Sequence, residues 1–266
     1  MGLSIEISAK VPRQGLLRRL KGRADTLSDI ESVCRSFVAE QQLEDIWTFE
    51  RRDNSLWMEL HSVEEPLHLS LEGDRLSLSA RTSTAGPGYH AHVVDIIDQL
   101  GRVLGLEWTL DKAGGDDTDY YTDRDFARLQ TAMADQHVGV SKMLLDISEE
   151  EDTSFLISQL SPSLGVLSHG HFAATPRGYR DKAYYLTVSG SEGSERLAFA
   201  ADWYPWWTRR VDGEFWNRAG QVIAWQQVPW RPAQSEAETQ SISMALRCFM
   251  RAKKLGTTSP IPTKEI

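Results

Sequence analysis

Leu3, Ile5, Ile7 and Ala9 alternate with polar residues at the start of the chain, the period of a strand with one buried face. A helix is expected over 26–42, because Ile30, Val33, Cys34, Phe37 and Val38 fall on one side and Ser28 with Glu31 has capping-box spacing. Four strand-like runs follow at 46–51, 55–61, 67–71 and 75–81, and Glu72-Gly73-Asp74 marks a hairpin between the last two. The small-residue loop Thr82–Gly88 then opens a helix over 89–104, with Val93, Ile96, Ile97, Leu100 and Leu104 inward, and 106–110 reads as a further strand around Trp108.

The stretch Asp111–Tyr121 is rich in Gly and Asp and is the linker this pattern predicts. Beyond it, one long helix is expected from a Thr122 cap to about Ile147. Strand-like runs come next at 155–160, 164–173, 182–189 and 195–203, with a hairpin-type turn at 190–194. Two helices close the chain: 213–228 with Asp212 as cap, and 235–255 with Ser235 and Glu238 at capping-box spacing. The two halves share an order of helix, four strands, loop, helix and Trp. Gly73 and Gly193 lie 120 residues apart, Trp108 and Trp230 122 apart. The expectation is an α+β protein of mostly antiparallel sheets with flanking helices, arranged as two pseudo-repeated α-β4-α lobes. The lobes would span 1–112 and 113–256, followed by a flexible tail over 257–266.

Composition changes this picture little: 266 residues, 41% hydrophobic and 25% charged, are the proportions of a folded protein. There is no run of about 18 apolar residues and no apolar stretch near the N-terminus, so neither a membrane span nor a secretory signal is expected. Cys34 and Cys248 fall on apolar helix faces and form no C-x-x-C pair, which suits a reducing, cytoplasmic setting. Charge matters more. The net charge is −9, which argues against broad nucleic-acid binding. Twelve acids against four bases lie between Asp111 and Asp152, whereas Lys10–Arg23 is purely basic. A concentrated field of this kind steers a partner of opposite sign.

Three constellations carry candidate chemistry. Gly86-Pro87-Gly88-Tyr89-His90-Ala91 fits G-x-G-x-x-A between a strand and a helix, with Asp111 23 residues past Gly88. Free amides and glycines there suit an anion, so Gly86, Gly88, Tyr89 and His90 are a candidate ligand site; Pro87 and the antiparallel context argue against a dinucleotide. His90/His92 and His169/His171 are H-x-H pairs, which on a strand share a face and can ligate Zn²⁺ or a similar metal, with Asp95 as a further ligand. On a helix, positions i and i+2 diverge by about 200°. Six of nine tryptophans lie between Trp203 and Trp230, and adjacent Trp206 and Trp207 beside Arg209 and Arg210 have the composition of an interface anchor.

No nucleophile elbow, Walker loop, kinase signature or zinc finger is present, and no cofactor is implied. Three function classes stay open. The leading expectation is a cytoplasmic macromolecule-binding protein, immunity- or antitoxin-like or regulatory. It would engage a basic protein partner through Asp116, Asp117, Asp119, Asp123, Asp125 and through Trp206, Trp207 and Arg209. Behind it stand an enzyme with an inter-lobe cleft, using the Gly-Pro-Gly turn and a His-bound metal, and a structural subunit of an assembly.

Overall fold

A computed structural model describes residues 2–11, 23–110, 115–150, 156–157, 173–175, 177–228, 231–257 and 259. The chain divides into two compact units, Met1–Phe126 and Ala127–Ile266. It is an α+β protein, as the alternation predicted.

The first unit is built on a six-stranded antiparallel sheet of order β2-β3-β4-β5-β1-β6. Its strands are β1 (Ser4–Lys10), β2 (Thr48–Arg52), β3 (Ser55–Glu59), β4 (Leu67–Glu72), β5 (Arg75–Arg81) and β6 (Trp108–Leu110). Period-two alternation sends Ile5, Ile7, Leu56, Met58, Leu67, Leu69, Leu76 and Leu78 to one buried face. The other face carries Ser, Glu, His and Arg. Glu72 pairs with Arg75 across the predicted turn, where Gly73 has φ +65°, a conformation open to glycine at little cost.

Two helices supply the apolar partners of the inner face. Helix α1 (Arg23–Glu40) buries Leu27, Ile30, Cys34, Phe37 and Val38. It begins earlier than its capping-box signal suggested: Ser28 lies inside the helix, and its Oγ accepts from Arg51 Nη1 at 3.0 Å. Helix α2 (Pro87–Leu104) starts at Pro87, pre-set for the first turn, and ends at Gly105 in the left-handed conformation.

The second unit is mostly helical, which corrects the sequence reading. Its helices are α4 (Phe126–Glu150), α5 (Lys182–Gly190), α6 (Gly193–Trp203), α7 (Gly213–Gln226) and α8 (Glu236–Lys254), preceded by the short α3 (Tyr120–Asp123) of the first unit. A small sheet joins β7 (Leu156–Ile157), β8 (Ala173–Thr175) and β9 (Gly178–Arg180), parallel then antiparallel. The runs 182–189 and 195–203 are helices, not strands. Tyr185 and Val188 are buried three residues apart, and Asp181 caps α5 by accepting from Tyr184 N–H. The turn at 190–194 therefore joins two helices, and the four-strand pattern of the first unit does not recur among the described residues. The expected repeat is withdrawn.

The predicted caps of the last two helices form: Asp212 accepts from Glu214 and Phe215 amides, and Ser235 accepts from Glu238 N–H. Helices α7 and α8 approach closely at Gly220, where a Cβ would lie 2.8 Å from the Phe249 ring. The hydroxyls of Thr257 and Ser259 donate to Glu214 Oε2, so the tail begins against α7; residues 258 and 260–266 lie outside the described residues.

Candidate functional site

The deepest polar centre of the first unit gathers residues far apart in sequence. Thr82 follows β5, His90 sits in the first turn of α2, and Asp116 and Thr118 belong to the acidic segment. Thr82 Oγ1 lies 2.9 Å from His90 Nδ1, and His90 Nε2 lies 3.3 Å from Thr118 Oγ1 and 3.5 Å from Asp116 Oδ1. Asp116 also accepts from the Thr118 amide (2.9 Å), the Thr118 hydroxyl (2.7 Å) and the Tyr121 amide (2.6 Å). Burial pushes the Asp116 carboxyl up, but the hydrogen bond and charge of His90, with the Tyr121 and Thr118 donors, outweigh it and hold it at about 2.

A hydroxyl, an imidazole and a carboxylate in line is the order that activates a nucleophile in acyl transfer. Here Thr82 and His90 are 0% exposed, so no substrate carbonyl can reach Thr82 Oγ1 in this conformation. What the relay does is bind the end of β5, the start of α2 and the acidic segment into one unit.

The Gly-Pro-Gly turn lies beside this centre, and it too is closed. Gly86, Pro87, Gly88, Tyr89 and His90 are all buried, which corrects the expected ligand site. A carboxyl group does sit at the turn, but the chain supplies it: Glu64 Oε1 accepts from the Thr84 amide and from the Ala85 amide (2.7 Å). Amides of a strand-to-helix loop favour negative charge, and the two used here are those of Thr84 and Ala85, ahead of Gly86. Burial pushes the Glu64 carboxyl up to about 7, against the Ala85 and Thr84 hydrogen bonds and the charge of Arg81.

A folded-state value above the ordinary 4.5 means that the protonated form is the stabilising one. That contribution is complete below pH 4.5 and lost as pH rises through about 7. Glu64→Gln keeps an Oε1 acceptor and removes the titration. Between pH 4.5 and 8 the variant is expected to gain on the native chain by up to about 3 kcal/mol in urea unfolding. Parallel pH curves for the two proteins would refute this role.

The metal reading of His90 and His92 is also corrected. On the helix the rings diverge: His90 faces Thr82 and Thr118, while His92 Nδ1–H donates to Gly88 O at 2.9 Å and its ring meets Phe37 edge-on. His169 and His171 lie outside the described residues. Among the described residues no three His, Cys, Asp or Glu side chains converge to hold a metal ion.

The acidic segment is not the free linker expected. Its described part, 115–121, is stitched to β1. Glu6 N–H donates to Gly115 O (2.7 Å), Ile5 bridges to Asp116, and Asp117 accepts from the Ser4 amide (2.8 Å) and hydroxyl (3.1 Å). The side chain of Asp116 is 1% exposed, so Asp116 is an anchor and is removed from the partner-binding set. Asp117, Asp119, Asp123 and Asp125 are exposed.

Asp119 and Arg124 both adopt the left-handed conformation (φ +61° and +58°) and bracket α3. Arg124 breaks the single helix expected from Thr122 onward. An arginine in that region costs on the order of 1 kcal/mol, and it is held by an ion pair to Asp98 (2.9 Å) and by stacking on Tyr121.

In the second unit the two adjacent tryptophans separate. Trp206 is 1% exposed and packs on Phe215 with ring centroids 4.5 Å apart, so it is core, and its assignment as a partner contact is corrected. Trp207 is half-buried, parallel to Tyr204 at 6.2 Å, and Arg209 and Arg210 are exposed. A loop turning between buried and solvent sides explains the split.

Sequence reasoning missed Glu64, Thr82 and Thr118. Glu64 carried the one available signal, an acid just ahead of β4; the two threonines carried none. The fold and these centres define an α+β protein in which Thr82, His90, Asp116 and Thr118 tie three segments of the first unit together through buried polar contacts. No family model, curated protein or solved structure matches the chain.

Proposed function

We propose that the protein is a binding module that engages a basic protein partner through the carboxylates of residues 117–125. The observation that carries this reading is the division of labour within the segment. Asp116 is spent on anchoring the backbone, and Asp119, Asp123 and Asp125 are left exposed on a pinned turn. Backbone strain kept at Asp119 and Arg124 supports it, because left-handed non-glycine residues persist where surrounding contacts over-determine them and they cluster at functional positions. A pre-organised row of like charges loses little conformational freedom on docking. Trp207 and Arg209 of the second unit offer a separate contact of interface composition.

An immunity- or antitoxin-like role is the use this chemistry suits, and a cytoplasmic setting belongs to the same proposal. Cys34 and Cys248 are free and buried, and no helix among the described residues is long and apolar enough to cross a membrane.

Carbodiimide cross-linking in extracts of the source cells, which joins carboxylates to lysines in contact, tests the reading. The native chain is expected to form a covalent complex whose yield falls steeply as salt rises toward 1 M, where the screening length is about 3 Å. An Asp119→Asn, Asp123→Asn, Asp125→Asn variant keeps the local hydrogen-bond acceptors and is expected to lose the complex without a change in thermal unfolding. Equal yield from that variant, or a yield indifferent to salt, would remove the segment from the account.

A further inference from the structure

We infer that the open face of the sheet in the first unit carries a second, independent site, a shallow depression that takes a neutral polyhydroxyl ligand such as a single sugar unit. The depression has a volume of about 100 Å³. Strand register defines its floor and walls. Ser77 and Ser79 of β5 form the floor. Across Ser79, Glu6 of β1 faces His68 of β4; across Ser77, Ser8 faces Ser70. Arg75 closes one end, its Nη2 donating to Ser8 Oγ at 2.8 Å. The two walls stand two strand spacings apart, roughly 10 Å between backbones.

Three properties select the ligand. First, the charges balance: one guanidinium and one carboxylate line the depression, so an anion meets Glu6 and a cation meets Arg75, and neither gains net attraction. Second, partial burial lowers the His68 pKa below its ordinary value, so at neutral pH its ring offers one donor and one acceptor. With the serine hydroxyls, the lining can both give and take hydrogen bonds, which is what a ligand made of hydroxyls requires. Third, the wall is rigid. The His68 ring is stacked on Trp57 (4.1 Å between centroids), and Trp57 is covered by Arg52, itself paired to Glu50. Serine is not among the residues that strands favour, so small hydroxyls in register at Ser8, Ser77 and Ser70 keep the floor low without serving strand stability.

NMR of the full chain with labelled His and Trp rings tests this. The titrants are D-glucose, D-galactose, D-mannose and N-acetyl-D-glucosamine, each taken to concentrations on the order of 10 mM, with inorganic phosphate as the charged comparison. At least one sugar is expected to shift the His68 and Trp57 signals saturably, and phosphate is not. Arg75→Ala and Glu6→Gln are each expected to weaken that binding about tenfold, and Ser77→Leu, which fills the floor from the solvent side, to abolish it. Absence of saturable shifts with all four sugars, shifts with phosphate alone, or undiminished sugar binding in Ser77→Leu would overturn the inference. The acidic segment is untouched by these variants, so the cross-linking result stands or falls separately.

Discussion

An Asp116→Ala variant is expected to lose about 3–5 kcal/mol of stability in the Met1–Phe126 unit, the cost of removing one member of a buried, hydrogen-bonded pair. The loss has several parts. His90 Nε2 keeps only the contact to Thr118, the Thr118 and Tyr121 amides lose their acceptor, and the bridge between Ile5 and the acidic segment loses its side-chain anchor. Urea unfolding followed by hydrogen exchange in β1, β5 and α2 measures it; a change under about 1 kcal/mol would show that the relay is not a structural anchor. The same carboxylate sets an acid limit. Its folded-state value, about 2, lies below the ordinary 3.8, so its stabilisation is complete above pH 3.8 and is lost as pH falls through about 2. The variant should lack that acid-dependent loss.

Trp206→Ala is expected to cost a similar amount, about 3–5 kcal/mol, in the Ala127–Ile266 unit, because it removes a fully buried indole from its contact with Phe215 and leaves a cavity that the helices cannot close. Amide exchange in α7 and α8 should accelerate. Trp207→Ala, at the neighbouring half-buried position, should change stability by less than about 1 kcal/mol. The pair of variants separates packing from partner contact. If Trp206→Ala folded normally, the indole would have to be available at the surface after all.

The first unit was legible in the sequence, whereas in the second α4, α7 and α8 were legible and 182–203 was not, for one physical reason. An antiparallel sheet with helices on a single face writes strict alternation into its strands, and Ile5, Ile7, Leu67, Leu69, Leu76 and Leu78 display it over β1, β4 and β5. Segments 182–190 and 193–203 are short and carry Tyr, Leu, Val and Phe in runs that fit either period. Their helical state is decided by burial of Tyr185 and Val188 and by the Asp181 cap, a signal that was present in the sequence but not read. The sequence placed a candidate anion site at Gly86 and Gly88; only folding could reveal that the amides used are those of Thr84 and Ala85 and that Glu64 of the same chain accepts from them.

Local pattern alone determined the six strands of the larger sheet, the β4–β5 hairpin, the five longest helices and the excess of negative charge near residue 120. Tertiary structure decided which carboxylates are buried or tied to β1 and which stand exposed. Asp116 and Asp117 are indistinguishable from Asp119 in sequence, but pairing of 115–117 with β1 buries the first beneath His90 and ties the second to Ser4. Hydrogen bonds between segments more than a hundred residues apart leave no periodic trace, because they depend on where two chain segments meet in space and not on the spacing of residues along either one.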